Sequence, residues 1–564
     1  METVWLARSW WVQPRNDEGP APAHCGTALT LAACAGPPEG EPSPAAVGDP
    51  ATDSPSEWSG ETRLVPQEYP TIQAAVDAAA PGDLVLIDRG TYREQVEVTT
   101  PGLTLRGVDR NDVVIDGEFQ RPNGVSVLFA DGVAVENMTA INNTSNGFYW
   151  SGVRGYRGSY LTAVNNGVYG IYAFDSGDGL FDHSYASGSP DAGFYIGQCD
   201  PCQAVITDSI SEWNGLGYSG TNASSELYIV NSIFRHNVAG VAPNTLDGEL
   251  LPPFHNVTVV GNLVHDNGNT DAPALAFEWA AQGNGILLAG GGDSYVARNR
   301  VLNHPLSGIA IFPMLDDNFY MSYDHEIVEN VVEGSGLADL TLGGPATSGN
   351  CFEDNEFSTS LPAALEIKQP CEGLHLPALF EIGSTTAQLG RLFESGLGLQ
   401  PQVDIASLPH PGPQENMPDG AEAPVRPAVD VFARSEPDIE SIGVPEMPLD
   451  LEVTQQKGLN VVGVSLGSAA GVFFGLYAYV LPLVLYTSWV VLALLDLSRR
   501  EDLSRAKTIA WMAGILVIPF LGVVAYFILG KSTIPAWQRW VFVAGGLAVY
   551  LLYLGLGMVI GGIV

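Results

Sequence analysis

The chain has 564 residues, enough for several domains or one long repeat domain, and its 63 acidic and 24 basic residues give a formal net charge of −39. A chain this acidic repels nucleic acid, which argues against a nucleic-acid partner in the absence of a local basic patch. Six cysteines are too few for a disulfide-built fold, and 64 glycines indicate a chain that turns often.

The first segment, residues 1–36, has features of a degenerate export signal. Cys34 lies in LTLAACAG, which resembles a bacterial lipoprotein cleavage site, although the apolar run before it is short. Lipidation of Cys34 and export of the protein are therefore expectations. Residues 37–62 are rich in proline, serine and acid, which predicts a disordered tether.

Residues 63–399 contain an internal repeat of short strand-like runs. The runs are followed by a second strand-like stretch that ends in asparagine in several coils, as in VENMTAINN and IVNSIFRHN. Units this short, with glycine and asparagine corners and no helix, predict an all-β parallel β-helix in which every coil stacks on the next. The glycines that begin the runs recur at intervals of 23 or 24 residues, first at Gly124, Gly147, Gly170, Gly193, Gly217 and Gly240, and again at Gly285 and Gly308.

The start of the repeat region carries a family resemblance. In YPTIQAAVDAAAPGDLVLIDRGTYREQVEV, the side chains of Ile72, Ala75, Val76 and Ala79 share one face of a short amphipathic helix. This stretch resembles the N-terminal cap of the pectate-lyase-like right-handed β-helix superfamily, over about residues 66–375. The resemblance implies a right-handed parallel β-helix. It sets only a prior for function, since that superfamily holds lyases, hydrolases, pectin esterases, alginate epimerases and a copper-accessory protein.

Acidic residues recur at the corner that follows the repeated strand. If neighbouring corners stack about 5 Å apart, Asp175, Asp178 and Asp200 form a cluster that could bind Ca²⁺ or act as an acid–base pair on a sugar. Arg154 and His183 are the nearby candidates for a uronate-neutralising cation and a base. The alternative is that these residues only turn the chain, because aspartate and glycine are common in such turns.

Three insertions, at 244–256, 270–284 and 313–325, interrupt the repeat and are expected to wall a groove. Aromatic side chains beside acids suit a carbohydrate, whereas the alternative is that the loops merely pack on the scaffold. The insertions also contribute Phe254, Phe277, Glu278, Phe319 and Tyr323. The substrate-binding candidates among them are Asp247, Glu249, Trp279, Asp316, Asp317 and Tyr320.

The cysteines predict local cross-links rather than a metal site. Cys199 and Cys202 form a C-x-x-C with no second pair, so zinc is disfavoured and a tight disulfide is expected in an exported protein. Cys351 and Cys371 bracket about one coil and are expected to form a second bridge.

A Pro- and acid-rich linker is predicted at 400–457, before an apolar region at 458–564. The stretches 475–495, 508–530 and 540–564 are each long enough to span a bilayer. The first loop between them carries four basic residues and the second carries two, which places the first loop and the C-terminus in the cytoplasm. Three spans then put the β-helix outside the cytoplasm. Residues 458–474 are the alternative fourth span.

Part of this apolar region resembles the two-helix module at the N-terminus of bacterial phospholipase-D-type enzymes such as cardiolipin synthases. The residues that carry the resemblance are Trp489, Asp496, Trp511, Pro519, Gly522 and Tyr526. Those enzymes need two copies of H-x-K-x4-D for catalysis, and the sequence contains none. The resemblance therefore implies a membrane anchor rather than lipid synthesis.

The sequence predicts a membrane-anchored, extracytoplasmic protein of bacterial type that binds or processes cell-envelope or extracellular polysaccharide. If it is an enzyme, a lyase, epimerase or glycoside hydrolase is expected, with no cofactor required and Ca²⁺ left open. The alternative is a non-catalytic cell-surface scaffold. The expected partners are polysaccharide or another surface molecule, and the lipid bilayer.

Overall fold

The structure is a computed structural model of the whole chain. It describes residues 60–373 except 348; 388–454 except 389, 393 and 427; 456, 460–461 and 464–465; and 489–540 except 501, 518–520 and 531, together with 544. Cys34, the expected export segment and almost all of the predicted tether lie outside the described residues and stay predictions.

The repeat region is a parallel β-helix in which most coils place one strand in an 11-stranded sheet and two in a 21-stranded sheet. We call the larger one sheet A and the smaller one sheet B. The strands of sheet A are β1 Thr62–Val65, β2 Leu84–Ile87, β3 Gly90–Tyr92, β5 Thr104–Gly107, β6 Val113–Asp116, β8 Val133–Ile141, β10 Arg154–Val164, β12 Gly177–Asp182, β13 Tyr185–Ser187, β15 Ala204–Thr207, β16 Ile210–Glu212, β18 Ser224–Val230, β19 Ile233–Arg235, β21 His255–Val260, β22 Leu263–His265, β24 Tyr295–Ala297, β25 Arg300–Leu302, β29 Glu326–Val328, β30 Val331–Glu333, β32 Cys351–Glu353 and β33 Glu356–Phe357. The strands of sheet B are β4 Val96–Val98, β7 Asn123–Leu128, β9 Asn146–Ser151, β11 Tyr169–Phe174, β14 Ala192–Gly197, β17 Leu216–Thr221, β20 Ala239–Asn244, β23 Ile286–Ala289, β26 Ser307–Phe312, β31 Ala338–Leu342 and β34 Ser360–Leu361.

Alternation along each strand separates the core from the outer face. In β11, Ile171 and Ala173 are buried in the central core, whereas Tyr172 and Phe174 point outward. Trp150 is fully buried and packs on the rings of Tyr156 and Phe181. Since each inward residue stacks on its counterpart in the next coil, one apolar core runs along the solenoid.

Buried asparagines at the corners join one coil to the next. The side chain of Asn237 accepts from the backbone N–H of Asn214 at 2.9 Å and donates to the side chain of Asn267 at 3.0 Å. A second row contains Asn262, Asn299, Asn330 and Asn355. These ladders satisfy backbone groups that strand pairing leaves free at the corners.

Three short helices accompany the coils: α1 Ile72–Ala78, α2 Ala276–Ala280 and α3 Leu365–Lys368. The hydroxyl of Thr71 accepts from the N–H of Ala74 at the start of α1. Ile72, Ala75 and Val76 are buried, as the predicted amphipathic face requires, and α1 lies against β1, β2 and β4. In the insertion at 313–325, β27 Met314–Leu315 and β28 Phe319–Tyr320 form an antiparallel hairpin.

The segment 400–457, which its composition predicts as a disordered linker, instead follows a defined path on the outside of sheet A. It includes 3-10 turns at Ile405–Ser407 and Ile439–Ser441 and the short helix α4 Val431–Ser435. We call residues 408–456 the strap. It begins at the carbonyl of Leu408, which accepts from Asn165, and it ends at the N–H of Gln456, which donates to the carbonyl of Gly334.

Polar side chains of the coils hold the strap through its backbone. The amide of Asn111 both accepts from the N–H of Gln414 at 2.7 Å and donates to its carbonyl at 2.9 Å. Asn303 accepts from the N–H of Thr454 at 2.8 Å and donates to the carbonyl of Glu452 at 2.9 Å. The composition predicts disorder because the segment has few apolar side chains. The segment is nevertheless ordered, because polar side chains of the solenoid form hydrogen bonds with its backbone.

The described part of the C-terminal region comprises a helical run at 489–498 and helices α5 Arg505–Val517, α6 Leu521–Leu529 and α7 Ala536–Trp540. Two short strands, β35 Asn460–Val461 and β36 Val464–Ser465, precede them and form an antiparallel pair. Asp496 accepts from the hydroxyl of Tyr526 at 2.7 Å, and the ring of Trp511 meets that of Tyr526 edge-on at 5.4 Å.

No helix among the described residues combines the length and the apolar character needed to cross a membrane. Of the predicted spans, 475–488 and nearly all of 541–564 lie outside the described residues. The middle span, 508–530, corresponds to α5 and α6, with 518–520 between them outside the described residues.

Candidate functional site

The three corner aspartates predicted as catalytic do not form one row. The N–H of Asp175 donates to the carbonyl of Gly197, whereas the N–H of Asp178 donates to that of Cys202. Asp175 directly follows β11, whereas Asp178 is the second residue of β12. Asp200 lies within a corner that is two residues longer than the one before it, so it has no aspartate beside it in the adjacent coil. The strand register therefore contradicts the predicted stack of these three carboxylates.

Each of these residues either adopts the left-handed conformation of a turn or forms a hydrogen bond with a neighbouring segment. Asp175 and Asp178 have φ of 51° and 58°, the left-handed region that corners use. Asp178 accepts from the N–H of Phe432 in the strap at 2.8 Å. Asp200 accepts from the hydroxyl of Ser225 at 2.9 Å. The backbone N–H of Arg154 donates to Asp131, one coil earlier.

His183 directly follows β12, at the next corner of the coil after that of Asp175. Its Nδ1 is 2.9 Å from a carboxylate oxygen of Asp182, and this bond raises the pKa of the imidazole. The ring stacks on that of Tyr160 at 4.6 Å. His183 has φ of 48° and is a corner residue there, which was the alternative interpretation of its position.

Among the loop residues predicted to bind substrate, Asp247 joins two insertions to each other. Its carboxylate accepts from the side chain of Asn318 at 2.6 Å and from the hydroxyl of Tyr320 at 2.5 Å. Its own N–H donates to Asp316 at 2.8 Å, and the backbone of Asp317 also bonds to its carboxylate. Asp247, Asp316, Asp317 and Tyr320 therefore form a clasp between the 244–256 and 313–325 insertions.

Trp279 is only 6% exposed and packs with Val238 and Ala272. The guanidinium of Arg391 lies 5.8 Å from the centre of its ring. Cys199 pairs with Cys202, and Cys351 pairs with Cys371, as disulfides in the structure.

The outward face of sheet B carries a row of tyrosines outside the predicted corner cluster. Tyr149, Tyr172 and Tyr195 occupy the same position in three successive coils, paired by the strand register. The rings of Tyr149 and Tyr172 stack at 4.9 Å, and Tyr169 stacks on the other side of Tyr172 at 4.3 Å. The ring of Tyr195 meets that of Tyr172 at a tilt of 55°, and Tyr195 is buried.

Glu249 reaches this row from the 244–256 insertion. The hydroxyl of Tyr195 is 2.7 Å from both of its carboxylate oxygens. The burial of Glu249 among these rings raises the pKa of its carboxyl to about 8. A carboxyl group at this position therefore keeps its proton at neutral pH, as a general acid must.

Asp191 lies near Glu249, and Glu278 lies near Asp191. Burial raises the pKa of Asp191, which bonds to the hydroxyl of Tyr169, and ionised Asp191 in turn raises the pKa of Glu249. Glu278 on α2 is only 3% exposed, and its pKa is raised well above the ordinary value, first by burial and then by Asp191. Its Oε2 atom has no hydrogen-bond partner among the described residues.

We call Tyr149, Tyr169, Tyr172, Asp191, Tyr195, Glu249 and Glu278 the tyrosine–carboxylate cluster. Carboxyl groups whose ionisation raises one another's pKa favour a state with one ionised and one protonated member, which is the arrangement for acid–base catalysis. Within the described part of the chain, no group of three or more His, Cys, Asp or Glu side chains has the arrangement of a metal site.

An apolar groove continues from the cluster along the outer face of sheet B. Leu216 lines the groove and is paired with Ala192, which is paired in turn with Tyr169 of the cluster. The groove encloses about 180 Å³. Its other walls include Phe277, Leu287, Phe312, Met314, Phe319 and Leu392.

Of the predicted substrate-binding candidates, Glu249 alone belongs to the cluster, and Glu278, which the sequence analysis named among the residues of the insertions, is also a member. The sequence did carry a signal for the tyrosines, because Tyr149, Tyr172 and Tyr195 are 23 residues apart, like the glycines of the repeat. Nothing comparable pointed to Asp191, which follows a corner proline and resembles any other turn residue.

Two family descriptions match the chain. Residues 102–312 match the family described as "Right handed beta helix region", which supports the predicted superfamily and gives the hand of the solenoid. Residues 489–531 match the family described as "Phospholipase_D-nuclease N-terminal", over the segment where the sequence resembles that module. No curated protein matches the chain by sequence.

Several solved structures are similar in part. The A-module of mannuronan C-5 epimerase AlgE4 from Azotobacter vinelandii is 16% identical, with 50% of this chain and 90% of that chain covered and a TM-score of 0.39. Polygalacturonase from Erwinia carotovora ssp. carotovora is 12% identical, with 56% and 97% covered and a TM-score of 0.38. The AlgE6 A-module of Azotobacter vinelandii is 15% identical, with 51% and 86% covered and a TM-score of 0.34.

Proposed function

We propose that the protein is a membrane-anchored, extracytoplasmic β-helix protein that binds and processes polysaccharide at the tyrosine–carboxylate cluster. The observation that carries the proposal is the half-buried Glu249, whose pKa is raised to about 8 beside the hydroxyl of Tyr195. The tyrosine hydroxyls supply donors and acceptors for sugar hydroxyl groups.

Hydrolysis of a glycosidic bond is the reaction that this chemistry supports best. Glu249 gives its proton to the leaving oxygen, and Asp191, in its ionised form, takes a proton from the attacking water. The described residues that form the cluster include no arginine or lysine, whereas lyase or epimerase chemistry on a uronate needs a positive group beside the carboxylate. A neutral polysaccharide is therefore the favoured substrate.

The experiment is product release from a panel of neutral and acidic polysaccharides by the full-length protein, with Ca²⁺ or with a chelator. The Glu249→Gln variant is expected to lose at least about a hundredfold in rate, since general acid catalysis contributes that much. Glu356→Gln, at an exposed position on sheet A, is the matched control.

The outcomes separate three possibilities. Loss in Glu249→Gln alone supports the cluster as the site. Loss in Asp175→Asn or Asp200→Asn, with Glu249→Gln fully active, returns the site to the corner. Binding without turnover by the wild type contradicts the enzyme and leaves the non-catalytic surface scaffold. If the chelator abolishes the activity of the wild type, the reaction also requires Ca²⁺, the ion for which the corner aspartates are candidate ligands.

The membrane anchor is a separate part of the proposal. It rests on the three apolar stretches of 475–564 and on the greater number of basic residues in the first loop between them. Protease added to sealed spheroplasts should digest the β-helix, whereas cysteines introduced in the first loop should stay unlabelled by an impermeant reagent. Protection of the β-helix from protease would contradict the proposed orientation.

A further inference from the structure

A polar cavity of about 220 Å³ lies between sheet A and the strap. Met417 and Val431 of the strap both line the cavity. Between them, the carbonyls of Ala423 and Pro424 accept from Arg106 of sheet A. This cavity is on a different sheet from the tyrosine–carboxylate cluster, so an inference drawn from it does not depend on the proposed reaction.

The floor of the cavity contains a carboxylate that is already neutralised. Glu136 is 2% exposed and bonds to Arg106 at 2.7 Å through one oxygen and to Arg157 at 2.5 Å through the other. Arg157 also donates to the carbonyl of Arg426, which fixes the strap at that point. Two guanidinium groups around one carboxylate leave this part of the floor with an excess of positive charge.

The roof adds two further guanidinium groups. Arg426 and Arg434 belong to the strap, and their exposed side chains line the cavity. Within the described part of the chain, neither guanidinium has an ion pair or a side-chain hydrogen bond. In a chain of net charge −39, this concentration of arginine is a local exception.

The remaining polar groups of the floor suit hydroxyls. The carboxylate of Asp182 accepts from the hydroxyl of Ser159 and lies 2.9 Å from the ring nitrogen of His183. Tyr160 lines the cavity next to them. A ligand with an anionic group at one end and hydroxyls elsewhere would meet arginines at the roof and acceptors at the floor.

We propose that this cavity binds a small hydroxylated oxyanion, one sugar acid or sugar phosphate in size. Its volume is below the range of about 300–1,000 Å³ that is usual for drug-sized ligands, so a single unit fits better than a polymer. The two strap arginines hold the anionic group, because planar guanidinium groups match the geometry of carboxylate and phosphate oxygens.

The test is isothermal titration of the full-length protein with glucuronate, glucose 6-phosphate and glucose. Glucuronate and glucose 6-phosphate distinguish a carboxylate from a phosphate, and glucose lacks the charge. The Arg426→Gln/Arg434→Gln double variant removes both roof charges from exposed positions, and its thermal unfolding should match that of the wild type. Arg89→Gln, an exposed arginine outside the cavity lining, is the matched control.

We expect one of the two acids to bind at least about tenfold more tightly than glucose, and the double variant to lose at least about tenfold in that affinity. Arg89→Gln should bind like the wild type. Failure of both acids to bind up to about 10 mM would overturn the proposal. So would equal affinity for glucose, or unchanged affinity in the folded double variant.

Discussion

The protonation of Glu249 makes the sharpest prediction, and the Glu249→Gln change tests it through stability rather than activity. In the folded protein the carboxyl has a pKa of about 8, against an ordinary value of 4.5. Between these two values the folded state keeps a proton that the unfolded state releases. The free energy of unfolding of the wild type should therefore fall as the pH rises through this window. Glutamine cannot ionise, so the variant should lack this contribution.

The size of the effect follows from the shift. At about 1.4 kcal/mol per pKa unit, a rise from 4.5 to about 8 corresponds to an upper limit of about 5 kcal/mol. Glu249 is half-buried, and solvent screening reduces this limit to about 1–3 kcal/mol. Relative to the wild type, Glu249→Gln should thus gain about 1–3 kcal/mol between about pH 4 and pH 9.

The assay is urea-induced unfolding of the purified full-length protein, followed by near-ultraviolet circular dichroism at about pH 4, 6 and 9. Tyrosine packing makes this signal sensitive to the β-helix. Glu356→Gln, at an exposed position, should keep a constant difference from the wild type across the series. A constant difference for Glu249→Gln as well would refute the elevated pKa, and with it the general acid.

Three further predictions concern the scaffold. Asn237→Ala should cost about 2–4 kcal/mol in urea unfolding, because it removes the acceptor of the buried N–H of Asn214 and the donor to the carbonyl of Ser211; a cost below about 0.5 kcal/mol would contradict the ladder's role. Asn303→Ala should speed hydrogen exchange at the N–H of Thr454 without changing exchange in the core strands, and unchanged protection there would mean that the strap is held elsewhere. Arg106→Met should cost about 3 kcal/mol, the lower end for a broken buried ion pair since Glu136 keeps its second arginine, and a stabilised variant on thermal unfolding would contradict this estimate.

The strap shortens the length of linker that is free to move after the β-helix. A flexible linker of the length of 400–457 would leave the β-helix loosely tethered to whatever follows it. Instead, the described residues are bonded to the coils as far as Gln456, near the carbonyl of Gly334. The effective spacer between the solenoid and the C-terminal region is therefore much shorter than its sequence length suggests.

The sequence by itself determined the repeat and the interior. A period of 23 residues with glycine at the strand start can only stack, because each short coil has too little apolar surface to form a core alone. The buried faces of α1 and β11 follow from local alternation and helical spacing, which depend on neighbouring residues only.

Only the tertiary structure decided which polar groups meet. Two extra residues in one corner moved Asp200 out of line with Asp175, whereas the glycine step from Gly193 to Gly217 is longer by only one residue. Asp191, Glu249 and Glu278 come together from one corner and two insertions, and the strap finds its path through single asparagines of distant coils. Such meetings depend on how loops fold back over the solenoid, and a one-dimensional period carries no information about that.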